Sequence, residues 1–298
     1  MVPVFRTRTA SYSESMDILV IGAGRIGSTF ASHLALAGHH VTVVARGARL
    51  ETLRHDGAIV MVDGRRAPVR VADALDPAVP HDLVIVTVME SQVDVLLPSL
   101  ALSAARTVLL MFNTFRGTAP YRDAIGSARF AFGFPTMTAF LVEGRLRCRV
   151  VGAGLVTTVS SPACAEVFRA AGLPAAVEAD MDGFLRSHVA FVVPLLVAGL
   201  WTWKRADGLS WHEARRLVGA WGEGFALVRD LGHRLVPRIV AMVSAMPAPL
   251  LTALLWAFSR TADARNVGEF GPAETRWLID AMAGVAPGRT ARLRSVRP

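Results

Sequence analysis

Lysine and cysteine are almost missing from this chain. Lys204, following Trp201-Thr202-Trp203 and read as a solvated end-of-helix residue, is its one lysine, so the positive charge is carried by arginine. The two cysteines, Cys148 and Cys164, form no CxxC and have no histidine pair nearby. That excludes a zinc site and a disulfide framework, and it suits a reducing, cytoplasmic setting. No metal is expected. Charged residues make up 19% of the sequence and hydrophobic ones 52%, which excludes a disordered chain. The formal charge of +8 would invite a polyanion, yet the arginines lie singly or in small groups (Arg65-Arg66, Arg145, Arg215-Arg216, Arg289 to Arg297). With no aromatic-interleaved basic stripe, nucleic acid is not an expected partner.

One charge-free run, Ile239 to Phe258, has the length of a bilayer span. Pro247 and Pro249 break it into two short helices. Arg234, Arg238 and Arg260 flank it on both sides, so no positive-inside asymmetry appears. Buried helices are expected here rather than a span. Residues 1–15 are polar and nearly free of acids, and are expected to be a flexible extension, with Met16 as an alternative start.

From Asp17 onward the pattern is that of an α/β domain. Asp17–Ile21, His40–Ala45, Asp82–Val88 and Thr107–Met111 are short, continuous apolar runs separated by helical patterns. They predict a doubly wound parallel sheet covered on both faces. Between about Ala128 and Val159, short strands separated by glycines predict an antiparallel extension of that sheet. Pro162 to Ala171 reads as a further helix. Past Asp180 strand patterns vanish, and Met181–Trp203, Ser210–Leu231 and Thr275–Met282 are helical. The expected organisation is a Rossmann-type domain over residues 16–180 and an all-α domain over residues 181–298.

The motif that carries chemistry is Gly22-Ala23-Gly24-Arg25-Ile26-Gly27, a GxGxxG placed directly after a strand and opening a helix. The first glycine allows the tight turn, the second lets the backbone approach a pyrophosphate, and the third lets the helix pack on the strand. The helix N-terminus adds free N–H groups for the phosphates. An NAD site would carry an acid at the end of the second strand. Here that strand ends Val44-Ala45-Arg46-Gly47-Ala48-Arg49, with no acid until Glu51. Arg46 and Arg49 could clamp a 2′-phosphate, so the expected cofactor is NADP(H); alternatively Arg49 is a solvated helix residue.

The GxGxxG, the Arg-bearing second strand with Leu53 and Gly57 beyond it, the run Leu109-Leu110-Met111-Phe112-Asn113 and the helical second half together resemble the ketopantoate reductase family. The resemblance implies NADPH-dependent reduction of a 2-keto acid, with Asn113 near the nicotinamide and substrate, and in many members a dimer formed through the helical domain. It also implies two lysines that this chain lacks. Met89-Glu90-Ser91-Gln92 has Met89 where a K-x-x-Q pattern would place one. Asp182-Gly183-Phe184-Leu185-Arg186-Ser187-His188 has none where the proton donor would stand.

Arg186 is therefore the candidate anchor for a substrate carboxylate or oxygen. His188 is either the proton donor or a core histidine on the apolar face Val189–Val192. Ser259 and Asp263, with Glu269 further on, match a weak S-x-x-x-D spacing for substrate contacts. The loss of both lysines argues against ketopantoate itself as substrate. Three functions follow as expectations: an NADP-dependent reductase of a carbonyl compound, a catalytically silent dinucleotide sensor or regulator, and a membrane-associated reductase.

Overall fold

The computed structural model describes residues 15–150, 156–205, 207–268 and 271–298. The extension expected at residues 1–15 lies outside them up to residue 14, as does Glu269. The chain opens with β1 (Asp17–Ile21), α1 (Arg25–Leu36), β2 (His40–Val44), α2 (Gly47–Asp56), the hairpin β3 (Ala58–Val60) and β4 (Arg66–Pro68), and β5 (Arg70–Ala72). Then come β6 (Leu83–Val86), a 3₁₀ turn at Glu90–Gln92, α3 (Leu97–Leu102), β7 (Thr107–Met111), α4 (Ala119–Ile125) and β8 (Phe130–Phe134). A hairpin of β9 (Met137–Val142) and β10 (Arg145–Val150), β11 (Thr157–Val159), α5 (Pro162–Ala170) and β12 (Ala175–Val177) complete this half.

One eight-stranded sheet runs β12-β11-β8-β7-β6-β1-β2-β5. Strands β5 through β8 in that order are mutually parallel, and the strand order reverses beside β1. Ile18 to Ile21 and Leu83 to Val86 are buried throughout, because a parallel sheet is covered on both faces. Alternate residues serve two cores. Ile18, Val20 and Ile85 join Phe30 and Leu34 of α1 on one face, while Leu19, Val84 and Leu110 join Tyr121, Ile125 and Phe184 on the other. Each fully buried large apolar side chain contributes about 1.5–3 kcal/mol.

The region from Ala128 to Val159 departs from the expected antiparallel extension. β8 is parallel to β7, and only β11 runs antiparallel to β8. The β9–β10 hairpin leaves the sheet altogether. Its turn, Glu143-Gly144, has positive φ at both positions, the geometry that matches strand twist in a two-residue hairpin. Its apolar face, with Ala139 and Leu146 buried and Met137, Leu141 and Cys148 beside them, packs on the α1 side of the core.

The second half is all helix: α6 (Met181–Thr202), α7 (Trp211–Asp230), α8 (Arg238–Ala245), α9 (Ala248–Phe258), α10 (Ala262–Val267), α11 (Pro272–Val285) and α12 (Ala291–Ser295). Asp180 caps α6, and Ser210 with Glu213 forms a capping box on α7. Val189, Val193 and Val197 pack against Leu217, Trp221 and Phe225 in its core. The charge-free run resolves into α8 and α9, bent by 117° at Met246-Pro247. Among the described residues the single unbroken helix with the length and composition of a span is α6, and 67% of its apolar window is buried in the protein.

Candidate active site

Strands β1, β2, β6, β7 and β8 all end on one edge of the sheet, and the site residues gather there. The glycine turn follows β1. Gly22 has φ +106°, a conformation that favours glycine. A Cβ on Gly27 would stand 1.8 Å from the Gly22 carbonyl oxygen and 2.5 Å from Thr87 Oγ1, so α1 can pack this closely on β1 and β6 only through glycine. A Cβ on Gly24 would meet nothing within 4 Å. One face of the turn is thus locked and the other left open. No side chain caps α1, so its first-turn N–H groups face that opening. Ala23 is buried. Its carbonyl accepts from Ser28 Oγ at 3.1 Å. Thr29 Oγ1 donates to the Arg25 carbonyl, and Ile26 packs on the core.

Two arginines at the end of β2 have different fates. Arg46 precedes α2 in extended backbone and is exposed, and its side chain has no hydrogen bond or ion pair among the described residues. Arg49 is partly buried and bonded within the fold. Its guanidinium donates to the Ala23 carbonyl at 3.2 Å, the Gly144 carbonyl at 2.7 Å and Ser28 Oγ at 3.2 Å, and so buttresses the glycine turn. Thr87, which sequence reading passed over, does the same from β6, donating to the Gly22 carbonyl at 3.0 Å.

Asn113 lies two residues beyond β7, two strands from β1 and so roughly 10 Å across the sheet. Its Nδ2 donates to Glu274 Oε1 of α11 at 2.8 Å, while Oδ1 is buried with no partner among the described residues. Beyond it, Arg116 and the loop to Thr118 are held from α6. Arg186 Nε donates to the Phe115 carbonyl at 3.1 Å, Nη2 to the Arg116 carbonyl at 3.2 Å, and Nη1 approaches His233 Nε2 at 2.6 Å. The Asp180 carboxylate accepts from His233 Nδ1 at 3.0 Å, and Asp182 accepts from the Thr118 N–H. Arg186 therefore clamps the loop, a structural duty the sequence did not disclose because its partners are main-chain carbonyls about 70 residues away.

His188 sits one helical step deeper, its ring centroid 3.9 Å from that of Phe134 at the end of β8. It is partly accessible, and its ring nitrogens have no hydrogen-bond partner among the described residues. Burial pushes its pKa down from 6.5 to about 4. The imidazole is neutral at pH 7, because its apolar surroundings disfavour the charged form.

Ser259 and Asp263 lie elsewhere. Ser259 is fully buried, donates to the Trp256 carbonyl and accepts from the Leu209 N–H, while Asp263 is exposed on α10. α10 leads to Gly268, which packs on Gly199, thirteen residues along α6 from Arg186 and so roughly 20 Å away. Their spacing reflects a buried hydroxyl beside a helix end, not a shared site.

Glu90 is the residue that sequence reading left without a role. It follows β6, and its side chain is 1% exposed. Oε1 accepts from Thr114 Oγ1 at 2.5 Å, Arg116 Nε at 3.0 Å and the Tyr121 hydroxyl at 2.6 Å, and Oε2 accepts from Trp277 Nε1 at 2.7 Å. This carboxylate pushes the Tyr121 hydroxyl pKa further up, after burial itself. Its partners lie 24 to 187 residues away, beyond the reach of any local motif. Met89 beside it is exposed.

A cavity of about 450 Å³ lined by His33, Arg65 and Cys148 lies at the C-terminal end of α1, opposite the glycine turn. It does not belong to this site. Among the described residues no cluster of three metal-ligating side chains occurs, and both cysteines are free.

Residues 18–160 match the family model of ketopantoate reductase PanE/ApbA. Among solved structures the chain is similar to a PanE/ApbA family ketopantoate reductase from Ralstonia eutropha JMP134 (TM-score 0.69, 18% identity, 95% of this chain and 97% of that one). It is also similar to 2-dehydropantoate 2-reductase from Methylococcus capsulatus (TM-score 0.68, 18% identity, 94% of each chain). A third is D-mandelate dehydrogenase in a ternary structure with NADH and anilino(oxo)acetate (TM-score 0.68, 14% identity, 94% of this chain and 96% of that one). Among curated proteins none matches the chain.

Proposed function

We propose, for a chain whose residues 18–160 belong to the ketopantoate reductase PanE/ApbA family, that it is a cytoplasmic NADP(H)-dependent oxidoreductase acting on the carbonyl of a 2-keto-acid-like compound. The observation that carries this reading is the β1–β2 end of the cleft: a glycine turn locked on one face and open on the other, beside an unpartnered arginine where an NAD site would hold an acid. Gly22, Ala23 and Gly24, with the first-turn N–H groups of Arg25, Ile26 and Gly27, would hold the pyrophosphate. Arg46, at the positive end of α2, would hold the 2′-phosphate.

The bound nicotinamide would supply or accept a hydride. The chain's own part is to hold the substrate against it. Asn113 offers its unpartnered Oδ1 to a donor on the ligand. A neutral His188 can give a hydrogen bond from its ring N–H to the carbonyl oxygen as negative charge develops there, acting as a polarising group and not as an imidazolium acid. The aromatic neighbours Phe134 and Phe184 favour a substrate with an apolar portion. The D-mandelate dehydrogenase of the same fold was solved with a ligand bearing an aromatic ring and an oxo acid, which supports that class.

Arg186 spends its guanidinium within the fold, and this favours a second reading, a dinucleotide-binding sensor without turnover. NADPH oxidation assayed over a panel of aliphatic and aromatic 2-keto acids decides between them. Turnover with an aromatic or branched member supports the enzyme; NADPH binding without turnover on any member supports the sensor.

For the partner we propose a second copy of this chain. Leu250, Leu254 and Phe258 form an exposed stripe at helical spacing on α9, and Ile239 and Met242 are exposed on α8. In this reading the stripe is the dimer face that the family resemblance places in the helical half. Leu254→Glu should convert a dimer to a monomer in sedimentation experiments, and a wild-type monomer would refute the assignment.

A further inference from the structure

We infer that Glu90 is a positioning residue, a point from which both the Asn113 loop and helix α11 are held in register; this rests on the reading of the cleft given above. A carboxylate as buried as Glu90 is tolerated only when its charge is compensated and its lone pairs are filled. Here one oxygen serves the Rossmann side, through Thr114, Arg116 and Tyr121, and the other serves the helical side, through Trp277.

The helical side repeats the pattern in reverse. Glu274 and Trp277 are three residues apart on α11 and share a face. Trp277 gives a hydrogen bond to Glu90, and Glu274 takes one from Asn113. α11 is therefore docked by two bonds of opposite polarity, and a helix shifted or rotated by one residue could satisfy neither. Because Glu274 fixes the Asn113 amide by its Nδ2, the buried Oδ1 is the atom left for a ligand. The orientation of Asn113 thus depends on Glu90 twice, once through the loop that carries it and once through the helix that holds its amide.

Glu90→Gln keeps the side chain's volume but turns one acceptor into a donor. Either the Trp277 indole N–H or the Thr114, Arg116 and Tyr121 donors then face an NH₂ group. Trp277→Phe removes the helical-side bond alone and leaves Glu90 its other three partners.

Both variants and their double are to be compared with wild type well below their melting temperatures. The readouts are NADPH affinity by fluorescence, kcat and KM on the best keto acid, and amide hydrogen exchange over residues 113–118 and 272–277. Each single variant should lower kcat by about tenfold or more, since small misplacements of reacting groups are costly, with NADPH affinity held within about twofold because its binding elements lie elsewhere. Exchange should quicken in both segments, and the double should be no worse than the worse single, because the two residues act as one unit.

Unchanged kcat in Glu90→Gln, multiplicative effects in the double, or exchange altered only in the loop would each overturn the inference. If wild type turns over no carbonyl, the enzymatic reading falls. The exchange data then decide by themselves: changes in both segments uphold the two-sided hold, and changes confined to one refute it.

Discussion

The two ends of the cleft are built from different material. At the β1–β2 end the determinants are main-chain: a positive φ at Gly22, a missing Cβ at Gly27 and an uncapped helix start, joined by Arg46, whose side chain has no partner among the described residues. At the β7–β8 end they are side chains brought from widely separated segments, with Trp277 bonded to Glu90, Asn113 to Glu274, and Arg186 to main-chain carbonyls. A backbone-built site needs a particular residue at each step of one short segment. A side-chain-built site can exchange members, provided donors and acceptors still match.

The largest effects should separate the two roles within the glycine turn. Gly27→Ala forces a carbon into the Gly22 carbonyl, so both the turn and NADPH binding should fail, with a melting temperature lower by ~5 °C or more. Gly24→Ala meets no atom of the protein. It should leave the melting temperature within ~1 °C while cutting NADPH affinity by about tenfold, because the new methyl occupies the approach of the ligand. Equal damage to stability from both substitutions would break the distinction between the locked and open faces.

At the other end, His188 links the site to pH. In the unfolded chain its imidazole takes a proton near pH 6.5, and in the folded protein only near 4. Between those limits the unfolded state binds more protons, so stability falls as pH is lowered from about 6.5 to about 4, by roughly 3 kcal/mol at most. Denaturant titrations should show that loss in wild type and a shallower one in His188→Phe. Identical pH dependence in the two proteins would contradict the lowered imidazole pKa.

Arg186→Ala should cost about 2 kcal/mol through lost loop hydrogen bonds and reduce turnover by freeing residues 115–118, while NADPH affinity stays within about twofold. Lost turnover with unchanged stability would return Arg186 to direct substrate contact.

The same contrast explains what the sequence disclosed. β1, β2, β6 and β7 were legible as continuous apolar runs, and the GxGxxG carried its own context on both sides. The doubly wound sheet and the helical second half followed. β5 was not legible, because Arg70–Ala72 is three residues long and partly exposed. The departure of β9–β10 from the sheet depends on how its apolar face meets α1, which no local pattern states. Glu90 looked like an ordinary acid after a strand; its meaning lies in Trp277, 187 residues on. The loop-holding bonds of Arg186 were not legible, because bonds to main-chain carbonyls leave no mark in sequence.

The central claim is that the β1–β2 end binds NADP(H) in preference to NAD(H). It is tested most directly by fluorescence titration of the purified protein with each reduced cofactor, repeated on Arg46→Ala. Tighter binding of NADPH than NADH, with the preference reduced by about tenfold or more in the variant while NADH affinity is unchanged, is the predicted result. Equal affinities in wild type, or a preference that survives removal of Arg46, would contradict it.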